Sequence, residues 1–289
     1  MILLENKYLK VSINPLGAEL HTLFNKDTKI DYLWTGDKPF WQRQAPILFP
    51  IVGKLKDNTY FNDGKMYYLP QHGFARDYKF TTIHENTIEA TFLLTHSKES
   101  FSVYPFKFQL LITYKLVENS VEVSYNVLNK GHDPMPFSIG AHPAFKCPLM
   151  TNDTFSDYFI EFETSETPLQ FLLDKTTGLR QIEPIPRSLN TQLPLSYKLF
   201  SNDALIFKGL TSKKIALKST KHHHGIDFIC EHWQFFAFWT QQNAPFICFE
   251  PWMGAADFIT TNQHLNTKDG ILILNANKSY TNNYTLLLY

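Results

Sequence analysis

Phe106-Lys107-Phe108-Gln109-Leu110-Leu111-Ile112-Thr113-Tyr114-Lys115-Leu116-Val117-Glu118-Asn119-Ser120-Val121-Glu122-Val123-Ser124-Tyr125-Asn126-Val127 is the stretch that decides the fold. Phe106, Phe108, Leu110, Ile112, Tyr114 and Leu116 alternate with Lys107, Gln109, Thr113 and Lys115. The same period of two resumes at Val121, Val123, Tyr125 and Val127, with Glu122, Ser124 and Asn126 between them. A two-residue period sends alternate side chains to opposite faces of a strand. Glu118-Asn119-Ser120 is a polar turn between the two runs, so the segment predicts an antiparallel hairpin with one buried face.

Outward from this hairpin the pattern repeats. Residues 8–13, 87–94, 158–163, 204–208, 214–217, 235–240, 271–275 and 284–289 read as strands, and Asn62-Asp63-Gly64-Lys65 reads as a tight turn leading into 66–69. No stretch of more than about ten residues keeps a period of 3.6, given typical helix lengths. No glycine-rich phosphate loop follows a strand, and no internal repeat is visible. The proline-rich stretch 183–194 reads as a long surface loop. The expectation is one all-β domain over residues 1–289, a large antiparallel β-sandwich.

Composition agrees and narrows the function classes. The 25 Phe and 14 Tyr favour sheets over helices. Lys plus Arg number 27 and Asp plus Glu number 27, so net charge gives no reason to expect nucleic acid or an anionic membrane as partner. Three scattered cysteines, Cys147, Cys230 and Cys248, suit neither a disulfide framework nor a zinc site. The first residues lack a basic region followed by an apolar stretch, and no window is long enough to span a bilayer. A reduced, cytoplasmic setting is expected.

Three short segments carry ionisable residues beside Gly, Pro or aromatic residues: Gln71-His72-Gly73-Phe74-Ala75-Arg76, Gly140-Ala141-His142-Pro143-Ala144-Phe145, and Phe246-Ile247-Cys248-Phe249-Glu250-Pro251-Trp252. Pro143 biases His142 to extended geometry and ends the ladder there, so the imidazole should project from a strand end. Such a group can give or take a proton near neutrality; a core histidine with both nitrogens satisfied is the competing reading. Gly73 permits close approach of a ligand beside His72. The Arg76 guanidinium could hold a sugar hydroxyl or an anion, or simply be solvated on a turn. Glu250 follows an apolar run, so desolvation should raise its pKa towards that of a general base unless a cation pairs with it. Trp239 and Trp252 could be sugar-stacking platforms or ordinary core residues. His222-His223-His224 is a poor metal site, because adjacent strand side chains diverge.

In order and spacing these segments resemble the aldose 1-epimerase (mutarotase) superfamily, and within it the bacterial LacX-like branch near the hexose-6-phosphate epimerases. The marks also include Asn14-Pro15-Leu16-Gly17-Ala18-Glu19-Leu20 and Pro46-Ile47-Leu48-Phe49-Pro50-Ile51-Val52-Gly53. The resemblance spans essentially the whole chain and implies the galactose-mutarotase type of sandwich. It also implies interconversion of the α and β anomers of an aldohexose, with a small sugar as partner and with neither cofactor nor metal. By motif His142 falls on the general acid, Glu250 on the general base and His72 on the second histidine. Arg76, Asp203, Lys54 and Trp252 fall among the residues expected to hold the sugar. Lys54 stands where many relatives carry Arg, so a bidentate contact is lost there. Arg43 is out of register with the arginine of the phosphate-sugar enzymes, which points to an unphosphorylated hexose. A hexose 6-phosphate epimerase and a non-catalytic sugar-binding protein are the alternatives.

Overall fold

The structure is a computed structural model that describes residues 1–289. The deciding hairpin forms: Phe108–Val117 pairs antiparallel with Ser120–Asn129, and Val117 faces Ser120 across a two-residue turn. Glu118 takes a left-handed φ of 51°, as the first turn residue of such a tight hairpin must. The alternating apolar residues Phe108, Leu110, Ile112, Tyr114 and Leu116 are all buried.

Two large antiparallel sheets form the sandwich. The nine-stranded sheet runs, in spatial order, through Gln192–Pro194, Tyr158–Phe162, Lys214–Ser219, Ile226–Cys230, Ser279–Leu288, Ser120–Asn129, Phe108–Val117, Glu89–Thr95 and Thr81–Glu85. The eight-stranded sheet runs through Ile185–Pro186, Leu169–Phe171, Leu205–Lys208, Phe235–Trp239, Phe246–Met253, Ile139–Ala141 and Ile47–Leu48, with Ala144–Lys146 also on Phe246–Met253. A four-stranded sheet built from Ile2–Glu5, Leu9–Asn14, Glu19–Asn25 and Ile30–Asp31 packs beside them. The α-helix is a single short one, Lys98–Val103, started by a reciprocal Ser97–Ser100 capping box. No helix is long and apolar enough to cross a membrane.

Phenylalanines fill the space between the large sheets. Phe228 of the nine-stranded sheet meets Phe236 at 5.5 Å and Phe249 at 6.1 Å from the eight-stranded one. Phe249 also touches Phe238 at 5.0 Å and Phe145 at 5.7 Å. Each such ring buried contributes about 1.5–3 kcal/mol from removal of apolar area from water.

The proline-rich stretch departs from expectation. Within it Ile185–Pro186 and Gln192–Pro194 are short strands, and they hold the outermost places of the two large sheets. Proline is tolerated at an edge because the missing N–H would face outward, and it discourages further strand addition.

Candidate active site

The strand Phe246–Met253 positions the chemistry. All eight of its residues are buried, yet its two faces differ. Ile247, Phe249 and Met253 join the large core between the sheets. Phe246 and Cys248 pack outward with Trp34 and Ala144, and Trp252 packs outward with Leu48, Val52 and Ile206. By the same alternation Glu250 faces outward, away from the inter-sheet core.

The register of one ladder brings His142 to Glu250. Gly140 faces Trp252 in the pairing of Ile139–Ala141 with Phe246–Met253. Beyond Pro143, Ala144 faces Cys248 in the same direction and register. His142 therefore stands directly opposite Glu250, where cross-strand side chains approach most closely. Its Nε2 lies 3.0 Å from Glu250 Oε2. The contact lacks hydrogen-bond geometry, and both Glu250 Oε2 and His142 Nδ1 are buried without a hydrogen-bond partner. Gly140 is needed beside them: a Cβ there would come within 2.7 Å of Trp252 Cδ1.

His72 reaches the same place from a different part of the chain. It and Gly73 take φ values of 66° and 71°, a left-handed pair that turns the backbone sharply. A Cβ on Gly73 would strike the Phe49 carbonyl oxygen at 2.3 Å. The His72 N–H donates to the Gly53 carbonyl at 2.9 Å, and the Gly53 N–H donates back to His72 Nδ1 at 3.1 Å. An Nδ1 that accepts leaves Nε2 carrying the ring proton, so the neutral His72 is a donor. The His72 and His142 rings sit edge to face, 5.8 Å apart.

Around these three lies a pocket of about 300 Å³, within the range of small-molecule sites. Lys54, Arg76, Asp203 and Trp252 all line it, so the structure brings every sequence-proposed site residue together. Arg76 donates from Nη2 to the Gln71 carbonyl at 2.7 Å. Asp203 has a φ of 73° and accepts its neighbour Ala204's N–H at 2.8 Å. Trp252 is both a packed residue and a wall: it is 5% exposed, and its indole N–H has no partner. Arg43 is engaged elsewhere, by Asp77, Glu19 and the Arg76 carbonyl. His222 makes no metal cluster; it bonds Asp153 and Tyr158, each at 2.9 Å.

Two features escaped the sequence reading. The first is Trp41, which stacks on His142 at 4.8 Å between centroids, while Trp239, already singled out in the sequence, meets the same ring edge-on at 5.9 Å. Phe40-Trp41 in an otherwise polar loop was the available signal, since loops over a rigid sheet often carry binding residues. The second is a buried charge network behind the pocket wall. Asp257 accepts from Lys268 Nζ at 2.8 Å and from the Lys56 N–H at 3.0 Å, and its own N–H donates to the Lys54 carbonyl at 2.8 Å. Arg180, fully buried beside Phe171, Phe235 and Phe258, donates to the Ala256 carbonyl and to Asp269. These bonds tie together the loops that present Lys54, Gly178 and Ala256.

Burial dominates the electrostatics. It pushes the Glu250 carboxyl well above the ordinary range, and the Asp203 charge pushes the same way. It depresses His142 to about 3, assisted by Arg76. His72 is held well below the ordinary histidine value by burial, then by His142 and Arg76. Burial therefore drives both Glu250 and His142 towards their neutral forms.

A large antiparallel sandwich with a two-histidine, one-carboxylate pocket on the outer face of one sheet is the galactose mutarotase-like fold. The chain belongs to the aldose 1-epimerase family, which it matches over residues 1–287. It is 34% identical over 277 residues to the chromosomal LacX protein of Lactococcus lactis subsp. lactis, covering 92% of this chain and 91% of that one. Among solved structures, a galactose mutarotase related enzyme from Lactobacillus acidophilus superposes with a TM-score of 0.95 at 31% identity, over 99% of this chain and 96% of that one. A galactose mutarotase-like protein from Lactobacillus casei ATCC 334 gives 0.93 at 34% identity, with both chains fully covered.

Proposed function

We propose that the protein is an aldose 1-epimerase acting on a free hexose. The observation that carries this reading is the opposition of His142 and Glu250, 3.0 Å apart, in the wall of a sugar-sized pocket. In the productive form Glu250 is ionised and His142 protonated. Glu250 takes the proton of the anomeric hydroxyl while His142 gives one to the ring oxygen. The bond between the anomeric carbon and the ring oxygen breaks, leaving a carbonyl and a free hydroxyl. Rotation about the adjoining carbon–carbon bond offers the other face of the carbonyl. Ring closure then returns both protons to their starting groups.

The proton inventory closes. Ring opening converts the charged pair to protonated Glu250 and neutral His142, the forms that burial favours. Each positioned acid or base contributes about a hundredfold to ten-thousandfold. The neutral His72 donates from Nε2 to the sugar, and Arg76, Lys54, Asp203 and the Trp252 indole fix its hydroxyls.

Arg43 bears on the substrate. Its ion pairs outside the pocket leave it unable to serve a phosphate there. This supports an unphosphorylated sugar. Polarimetry or NMR exchange on α-glucose, α-galactose and their 6-phosphates tests both points. Exchange of the free sugars well above the buffer rate is expected. A rate equal to buffer with every sugar removes the enzyme reading; a preference for the 6-phosphates corrects the substrate.

A further inference from the structure

We propose that His142, Cys248 and Glu250 form a binding site for a thiophilic divalent cation of the zinc type, and that an ion held there blocks the pocket. A ring nitrogen of His142, the Cys248 sulfur and a Glu250 carboxylate oxygen all lie within 4.8 Å of one another. The ladder explains why. Cys248 and Glu250 are two residues apart on Phe246–Met253 and share its outward face. His142 stands opposite Glu250, while the residue opposite Cys248 is Ala144, whose small side chain leaves the diagonal from sulfur to imidazole open.

The donor set is chemically apt. Thiolate, imidazole and carboxylate are the three ligand types that zinc takes from proteins, and three ligands leave one tetrahedral position for water or a sugar hydroxyl. Two of the residues, His142 and Glu250, line the pocket and so give the ion a route in. Glu250 Oε2 has no hydrogen-bond partner to lose. Charge also balances: one thiolate and one carboxylate meet the ion's two positive charges, so the buried site ends neutral. Binding releases the thiol proton to solvent, together with the carboxyl proton where Glu250 holds one. Trp41 and Trp239 screen the imidazole from bulk water and strengthen these contacts.

The consequence for turnover rests on the proposed function, because the ion occupies both groups that would move protons. The site itself stands on geometry alone and is tested separately. The full-length, metal-free protein is titrated with zinc by calorimetry and with cobalt(II) by absorption spectroscopy. Wild type is expected to bind one equivalent, to show a thiolate-to-cobalt charge-transfer band, and to lose anomer exchange as zinc fills the site. Cys248→Ala and Cys248→Val, two replacements of different size, should lose the band and bind zinc at least about tenfold more weakly. Both should keep wild-type exchange in the absence of metal. A His223→Ala/His224→Ala double variant should bind as wild type does. Absence of binding overturns the site, as does wild-type affinity or a charge-transfer band that survives in the Cys248 variants. Stoichiometric binding without loss of exchange overturns the blocking role. A protein inert towards every sugar leaves the calorimetric and spectral results to decide the site, and so separates its failure from that of the enzyme reading.

Discussion

The two faces of the strand Phe246–Met253 contrast more sharply than any two domains could. Inward, Phe249 contacts Phe145, Phe228, Phe236 and Phe238, and Ile247 and Met253 join the same apolar core. Outward, one residue along, Glu250 Oε2 is buried without a hydrogen-bond partner, as are His142 Nδ1 opposite it and the Trp252 indole nitrogen. Buried polar atoms in that state cost free energy, and they persist where a ligand supplies the partner. Adjacent positions on one strand thus serve opposite ends, one holding the fold and the other holding a site at the fold's expense.

Exchanging one atom on the outward face should give the largest effect. Glu250→Gln keeps shape but cannot take a proton, so anomer exchange should fall about a hundredfold to ten-thousandfold while the folded state survives. Polarimetry measures the first and thermal denaturation the second. An equally active variant would break the assignment of the general base. On the inward face, Phe249→Ala should cost about 3–5 kcal/mol of stability, because the surrounding rings can only partly close the cavity. Urea denaturation checks it; a loss below about 1 kcal/mol would show that the inter-sheet packing is looser than the ring contacts imply. The contrast sharpens if Phe249→Ala protein that remains folded still exchanges anomers.

Gly140 lies where the two roles touch. It faces Trp252, and a Cβ at this position would also come within 3.2 Å of Val52 Cγ2. Gly140→Ala should therefore displace the Trp252 ring and cost about 1–3 kcal/mol as an overpacking change. Because Trp252 lines the pocket, KM should rise together with the fall in melting temperature. A stability loss with unchanged KM would assign Trp252 to packing alone.

Much of this was legible in sequence because the period of two is local. The hairpin 106–127, the strand 235–240 and the apolar run ending at Glu250 need no knowledge of partners. Motif order also gathered His72, His142 and Glu250. Other features depend on register, which a single sequence does not carry. Nothing in Gly140-Ala141-His142-Pro143 shows that the ladder continues past the proline and sets residue 142 against residue 250. Trp41 was missed because its loop has no period. The pairing of Lys268 with Asp257 was missed because such pairs are made by tertiary folding, and isolated Lys and Asp are ordinarily solvated. The proline-rich stretch is largely exposed as expected, but its two short edge strands were missed for a related reason: an edge strand needs partners on one side only, so its own composition hardly marks it.

The pH dependence of stability is the smallest expected effect and divides the His142–Glu250 pair most finely. Burial raises the native pKa of Glu250 above its unfolded value near 4.5. Between those two values the native state holds a proton that the unfolded chain has released, so stability falls as pH rises through that window. For His142 the sign reverses. Its native value, about 3, lies below the unfolded value near 6.5, so the unfolded chain takes up a proton that the native state refuses. Stability therefore falls as pH drops from about 6.5 towards 3, and His72, depressed in the same direction, adds to that loss. Glu250→Gln should flatten the alkaline limb of a melting-temperature profile and leave the acid limb in place. His142→Asn should flatten part of the acid limb only. If instead Glu250→Gln melts lower than wild type at alkaline pH, the carboxylate is stabilised as an ion in the native state, and burial does not set its protonation.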